Sequence, residues 1–181
     1  MIETGQHIVY TIGHSTHSLP VFISMLQSFG IKNLVDIRRF PSSRKFPQFN
    51  KEHLEEVLRN RSIRYLHLVE LGGRRKVQKD SKNSRWRNDS FRGYADYMET
   101  EDFNKAITQL ERIALNGPTV YMCSEAVWWR CHRSLVSDYL KAKGWTVLHI
   151  MAADKAEEHP YTSPARVEGD RVFYADKDLF N

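Results

Sequence analysis

The sequence predicts an α/β fold: one domain over residues 1–181, built of parallel βαβ units with helices on both faces of a mainly parallel sheet. Three observations carry that expectation. Short β-rich runs alternate with helical patterns along most of the chain. Glycines stand where helical patterns stop, at Gly30, Gly117 and Gly144. No repeat or internal linker divides the 181 residues, a length that buries a sizeable core without disulfide or metal staples.

The elements follow in order. His7 to Ile12 is β-rich and stops at Gly13, a strand followed by a turn. Ser18 is placed to cap a helix whose Leu19, Phe22, Met25, Leu26 and Phe29 share one face, and Gly30 closes it. Asn33 to Ile37 is a short buried strand. The loop after it, RRFPSSRKFPQFN, holds two prolines and no periodicity. Asn50 caps the next helix, with Leu54, Val57 and Leu58 facing inward, and Ile63 to Leu68 is a third strand that stops before Leu71-Gly72-Gly73. A second loop runs from Arg74 to about Arg92. It is too polar for a core and too long for a simple connection, so it is functional or disordered. Two helical patterns then meet near Thr100, the second carrying Phe103, Ala106, Ile107, Leu110 and Ile113 up to Gly117-Pro118. Thr119 to Met122 is the fourth strand, Cys123 to Arg130 its loop, and His132 to Lys143 a helix closed by Gly144. Val147 to Met151 is the fifth strand, and the tail carries a hairpin around Gly169-Asp170.

Composition narrows the function classes. No apolar run approaches the roughly 20 residues that cross a bilayer, so no membrane partner is expected. Met1 to His7 lacks the basic, apolar, small-residue order of a signal peptide. Cys123 and Cys131, eight positions apart, are therefore expected as reduced thiols in the cytoplasm. The formal charge is +5, unevenly spread. Arg38 to Lys51 and Arg74 to Arg92 hold 13 of the 27 basic residues and 2 of the 22 acidic ones, leaving the remainder net acidic. Two basic loops on an acidic body make a focused field suited to an anion; the alternative is a solvated lysine and arginine surface.

In an open parallel sheet, ligands bind outside the carboxyl ends of the strands. The residues just after the predicted strands are Gly13-His14-Ser15, Asp36 with Arg38, Leu71-Gly72-Gly73 and Cys123-Ser124-Glu125. All four groups belong on one edge, and both basic loops leave from it. The densest group runs from Cys123 to Arg133. A helix beginning near Cys131 favours an anion at its free N–H groups, and Arg133 is suited to clamp a phosphate or carboxylate. His132 can carry a proton near neutral pH, and the same surroundings would make Cys131 a nucleophile. Against that, a free cysteine is commonly a small buried hydrophobe. Asp36 and Glu125 form an acid/base pair in one cleft, or one of them simply holds Arg38, and Glu125 and Arg133 are expected to be partly buried where strand and helix ends meet. Cys123, Cys131, His132 and His14 match no common zinc spacing, and a helix start would splay Cys131 from His132, so no metal is expected. No cofactor is implied. Trp86, Phe91, Trp128 and Trp129 lie in or beside these loops, to stack on a base or to cover the core.

These motifs together resemble the DUF488 family, small prokaryotic proteins of unassigned function. The resemblance rests on Thr11-Ile-Gly-His-Ser15, Val35-Asp-Ile-Arg38 with Pro41 and Arg44, Pro47-Gln-Phe49, Leu71-Gly-Gly73, Ser90-Phe-Arg-Gly-Tyr94, and Cys123-Ser-Glu125 running on to Cys131-His-Arg133. The Trp128-Trp129 pair is its one departure from the pattern. The resemblance implies a Rossmann-like, three-layer α/β domain and brings no reaction with it. The expected ligand is a phosphate-bearing small molecule, a nucleotide or a nucleic-acid component. Ser15, Arg38, Arg44, Gly72, Gly73, Arg92, Tyr94, Cys123 and Arg133 would hold it, and Glu125, Asp36, His132, Cys131 and His14 would do the chemistry. The alternative is a non-enzymatic nucleic-acid-binding module that uses the basic loops and tryptophans. The sequence carries no signal for oligomeric state.

Overall fold

The computed structural model describes residues 5–176, so residues 1–4 of the amino-terminal stretch lie outside it. Among the described residues, the central sheet has six strands: β1 (Ile8–Gly13), β2 (Asn33–Asp36), β3 (Arg64–His67), β4 (Thr119–Cys123), β5 (Thr146–Ala152) and β6 (Lys155–Glu158). Their order is β3-β2-β4-β1-β5-β6; the first five run parallel and β6 lies antiparallel along β5. Five α-helices complete the three layers: α1 (Leu19–Ser28), α2 (Lys51–Arg59), α3 (Asp89–Tyr97), α4 (Glu101–Leu115) and α5 (Arg133–Ala142).

The strand pleat sorts the core into two halves. Val120 and Met122 of β4 point toward α1 and α2, where Phe22, Leu26, Leu54 and Leu58 are buried. Tyr121, between them, points toward α3, α4 and α5 and packs with Tyr94, Phe103, Ile107 and Val136. The α/β arrangement with helices on both faces is therefore as the alternating pattern predicts. No helix among the described residues is long and apolar enough to cross a membrane.

Register sets the functional edge. Gly13 of β1 lies opposite Cys123 of β4, and Asp36 of β2 lies opposite Met122. The ends of β1, β2 and β4 thus stop within about one residue of each other, and Leu68, just past β3, donates its N–H to the Asp36 carbonyl. Asp36, Gly72 and Glu125 all leave from this one edge, as expected. Gly13 is required there: a Cβ on it would sit 1.6 Å from the Glu125 carbonyl oxygen.

Several local expectations are corrected. Strand β6 was not foreseen, because its KAEE sequence carries no apolar alternation; it pairs only on one side, at the sheet margin. Asn50 precedes α2, but its side chain accepts a hydrogen bond from Ser43 N–H (2.7 Å) instead of capping the helix. The loop from Arg74 is neither core nor disorder. It folds around the buried Asp96 carboxylate, which accepts from Gln78 N–H, Ser81 Oγ–H and Asn83 Nδ2–H. The tail hairpin is present, as β7 (Arg166–Glu168) and β8 (Arg171–Phe173).

Candidate functional site

A cavity of about 980 Å³ opens at this edge. Arg38, Arg39, Lys45, Arg74 and Arg130 line it, with Glu125 as the one carboxylate among its lining residues. Phe40, Phe46, Phe91, Tyr94 and Trp129 supply aromatic surface, and the buried Cys123 and Cys131 line the cavity beside His132.

The thiols are in contact: Cys131 Sγ and Cys123 Sγ lie 2.8 Å apart. Arg133 N–H, at the start of α5, also reaches Cys131 Sγ (3.5 Å), so the anion-favouring helix end is occupied by the protein's own sulfur. His132 Nε2 faces the Ile37 carbonyl at 3.2 Å, and a carbonyl only accepts. Nε2 therefore carries the proton, leaving Nδ1 as a bare acceptor 3.4 Å from Cys131 Sγ. The expected splaying of Cys131 from His132 does not occur. Cys131 is extended (φ −132°, ψ 152°) and stands outside the helix, so helical side-chain divergence does not apply to the pair. Burial would raise the Cys131 thiol, but the hydrogen bond with Cys123 and the charge and N–H of Arg133 outweigh it, and the net shift is downward. Burial pushes Cys123 well up. His132 is lowered by burial, which favours its neutral form.

Arg133 lies beneath the cavity floor, 2% exposed, and does not line it. Its guanidinium is engaged inside the protein: Nη2 donates to the Glu125 carbonyl (2.8 Å) and Nη1 to Thr11 Oγ1 (3.0 Å). A buried relay continues from there. Thr11 Oγ1 contacts His149 Nδ1 at 2.7 Å, His149 Nε2 contacts His159 Nδ1 at 2.8 Å, and His159 Nε2 contacts Asp138 Oδ1 at 2.8 Å. Arg133 only donates, and Asp138 Oδ1, which also takes the Thr162 N–H, accepts, so every proton in the chain points from Arg133 toward Asp138. Burial, with help from His159 and Arg133, lowers His149 to about 2 and holds it neutral, as this order requires. Trp128 stacks flat on His149 (4.7 Å, 4°) and covers the relay, while its neighbour Trp129 is 51% exposed at the cavity.

A second buried group stands at the end of β2. The Asp36 carboxylate accepts from Arg38 N–H, Nε–H and Nη2–H and from Tyr65 Oη–H. It is fully buried and does not line the cavity; Arg38 does, on the side left by that pair. Burial would lower the Arg38 guanidinium, but the hydrogen bonds and charge of Asp36 outweigh it and raise it. His14 stacks on Phe49 (4.3 Å), directs Nδ1 to the Ser15 carbonyl and Nε2 to Arg38 Nη1. Both of its nitrogens are occupied, and burial lowers it to about 4.

The expected site residues divide accordingly. Ser15, Arg38, Gly73, Tyr94, Cys123, Glu125, Cys131, His132 and His14 line the cavity. Asp36, Gly72, Arg44, Arg92 and Arg133 do not. Arg92 instead holds Ser81 through its side chain and carbonyl, and Arg44 is exposed on the first basic loop. Glu125 was expected to be partly buried; it is exposed, and its carboxylate makes no hydrogen bond or ion pair among the described residues. It is the Glu125 main chain, not its side chain, that meets Arg133. Sequence reading singled out none of Asp138, His149 and His159. Their only signal is polar residues at positions that otherwise read as core. Among the described residues no group of three or more His, Cys, Asp or Glu side chains is arranged to hold a metal ion.

No curated protein and no solved structure matches the chain. The family model described as domain of unknown function DUF488 matches residues 18–140. That stretch takes in the cysteine loop and both basic loops and leaves the Thr11–Ser15 motif outside. Since it spans about two thirds of the chain, this protein belongs to the DUF488 family.

Proposed function

We propose that the cavity binds a phosphate-bearing ligand, a nucleotide or nucleic-acid component, with Glu125 and the Cys131–His132 pair facing it. One observation carries this reading: five cationic side chains converge on a space with a single carboxylate in its lining. The volume suits a nucleotide, and Phe40, Phe46, Phe91 and Trp129 offer ring faces for a base. Arg38, oriented by Asp36, supplies a fixed cation, while Arg39, Lys45, Arg74 and Arg130 present exposed charge to an anion. Glu125 has no hydrogen-bond or ion-pair partner among the described residues and is available as a general base or acid.

The non-enzymatic nucleic-acid reading draws support from Phe40, 60% exposed with Arg39 and Arg74 over its ring, beside exposed Trp129. Thermal unfolding with inorganic phosphate, mononucleotides and a single-stranded oligonucleotide separates the two. Stabilisation by a mononucleotide, lost in Arg39→Ala/Lys45→Ala, supports the small-ligand site. A shift with the oligonucleotide alone supports the binding module, and no shift with any of the three removes both.

A further inference from the structure

We propose that Cys131 and Cys123 form a thiol–disulfide exchange pair at the cavity floor, acting on an anionic low-molecular-weight disulfide. The inference shares the cavity with the phosphate reading but stands on the sulfur geometry. A nucleophile acting alone needs no second thiol. A second sulfur in contact, at 2.8 Å, is what releases a mixed disulfide once it has formed. The two differ in access, Cys131 being 6% exposed and Cys123 2%, so the outer thiol attacks and the inner one resolves. His132 Nδ1, bare because the Ile37 carbonyl takes the Nε2 proton, is placed to receive the Cys131 proton. The Arg133 N–H faces the sulfur that becomes negative. The cationic walls select a disulfide that carries carboxylates.

The chemistry balances without another reagent. His132 takes the Cys131 proton, the thiolate attacks one sulfur of R–S–S–R, and the S–S bond breaks. The departing RS⁻ takes the proton from His132, leaving Cys131 in a mixed disulfide. Cys123 then attacks Cys131 Sγ, the bond to the remaining R–S group breaks, and the Cys123 proton leaves with it. Two protein thiols are oxidised to one disulfide, and the substrate disulfide is reduced to two thiols. Excess thiol runs the sequence backward.

The reduced full-length chain, freed of reductant, is incubated with oxidised glutathione or with neutral 2-hydroxyethyl disulfide, quenched by alkylation and weighed intact. The parent chain should lose both alkylatable thiols and retain no adduct. Cys123→Ser should hold one glutathione, mapped to Cys131. Cys131→Ser should react roughly a hundred-fold more slowly, since the remaining thiol is deeply buried and lacks the Arg133 N–H. Oxidised glutathione should outpace the neutral disulfide by about ten-fold or more at low salt. Equal rates for the two serine variants, a stable adduct on the parent chain, or a faster neutral disulfide would overturn the proposal. Limited iodoacetamide labelling of the parent chain gives the same decision without mutation: Cys131 must label before Cys123, and the reverse order overturns it. Exchange that proceeds unaffected by phosphate or nucleotide, with neither of them binding, sinks the phosphate reading and leaves this one standing. Nucleotide binding without exchange does the opposite.

Discussion

Glu125 and Arg133 meet at one loop, yet they should respond to substitution in opposite ways. Arg133 is buried and gives its guanidinium hydrogens to the buried Thr11 Oγ1 and to the Glu125 carbonyl. Lysine keeps the charge but loses the fork, so Arg133→Lys should cost roughly 2–4 kcal/mol in urea unfolding, one acceptor being left unpaired. Glu125 is exposed and its carboxylate is unpaired among the described residues, so Glu125→Gln should move stability by no more than about 0.5 kcal/mol. A large loss for Glu125→Gln would mean that the carboxylate holds the loop, and an unperturbed Arg133→Lys would remove the relay's anchoring role. Sequence reading placed both residues in one cleft, Glu125 as an acid or base and Arg133 as an anion clamp, because spacing does not show which atoms of a residue face its neighbour. Gly13 decides that here: it lets the loop after β4 lie close on β1, which brings the main chain of Glu125, and not its side chain, to the arginine.

At the scale of elements, the end of β1, β5 and the start of α5 carry histidines that burial holds neutral. His14 lies at about 4 and His149 at about 2, with burial the main cause, and His132 is lowered too. In the unfolded chain each returns to about 6.5. As pH falls through 6.5 the unfolded chain takes up protons first, so stability is full above that pH. It declines toward pH 4 for His14 and further still for His149, by up to about 1.4 kcal/mol per pH unit for each histidine. Unfolding followed from pH 7 to pH 5 should show this slope, and His149→Gln should make it shallower; an unchanged slope would mean that His149 is not held neutral. A second element-scale expectation concerns the loop from Arg74. Asp96→Ala removes the acceptor for three loop donors and should expose Lys76, Lys79 and Lys82 to trypsin, whereas the parent loop resists it. The strand ends were legible in the sequence because buried apolar runs stop abruptly at polar residues or glycine. The relay was not legible: Thr11 and His149 are 138 positions apart and meet only because β1 and β5 are neighbours. Nor was the order of the basic loop, since its anchor is one aspartate in a helix that reads simply as amphipathic.

Across the whole molecule, charge is segregated more strongly in the sequence than in the site. The two basic loops carry 13 cations, but the cavity takes only Arg38, Arg39, Lys45 and Arg74 from them, adding Arg130 from the cysteine loop. The others are turned to different uses. Arg75 lies over Tyr97 and bonds the Gly72 carbonyl, Arg92 holds Ser81, and Arg85 donates to the Pro164 and Ser163 carbonyls. Arg85 and Arg87 lie together beside Asp176, lining a separate shallow pocket. The expectation that both loops act as one polyanion grip therefore meets a quantitative limit. A single strand seated on the five cavity cations should lose affinity with salt at a log–log slope of about −3.5, whereas engagement of all 13 loop cations would give about −9. Titration of a single-stranded oligonucleotide over a range of salt concentrations reads that slope directly. Arg39→Ala/Lys45→Ala should reduce it by about 1.4, two cations at about 0.7 each. Arg85→Ala/Arg87→Ala should leave it unchanged, because those side chains face the tail segment instead of the cavity. A parent slope near −9, or a flattening caused by the Arg85 and Arg87 pair, would place the anion-binding surface on the second loop and away from the thiols.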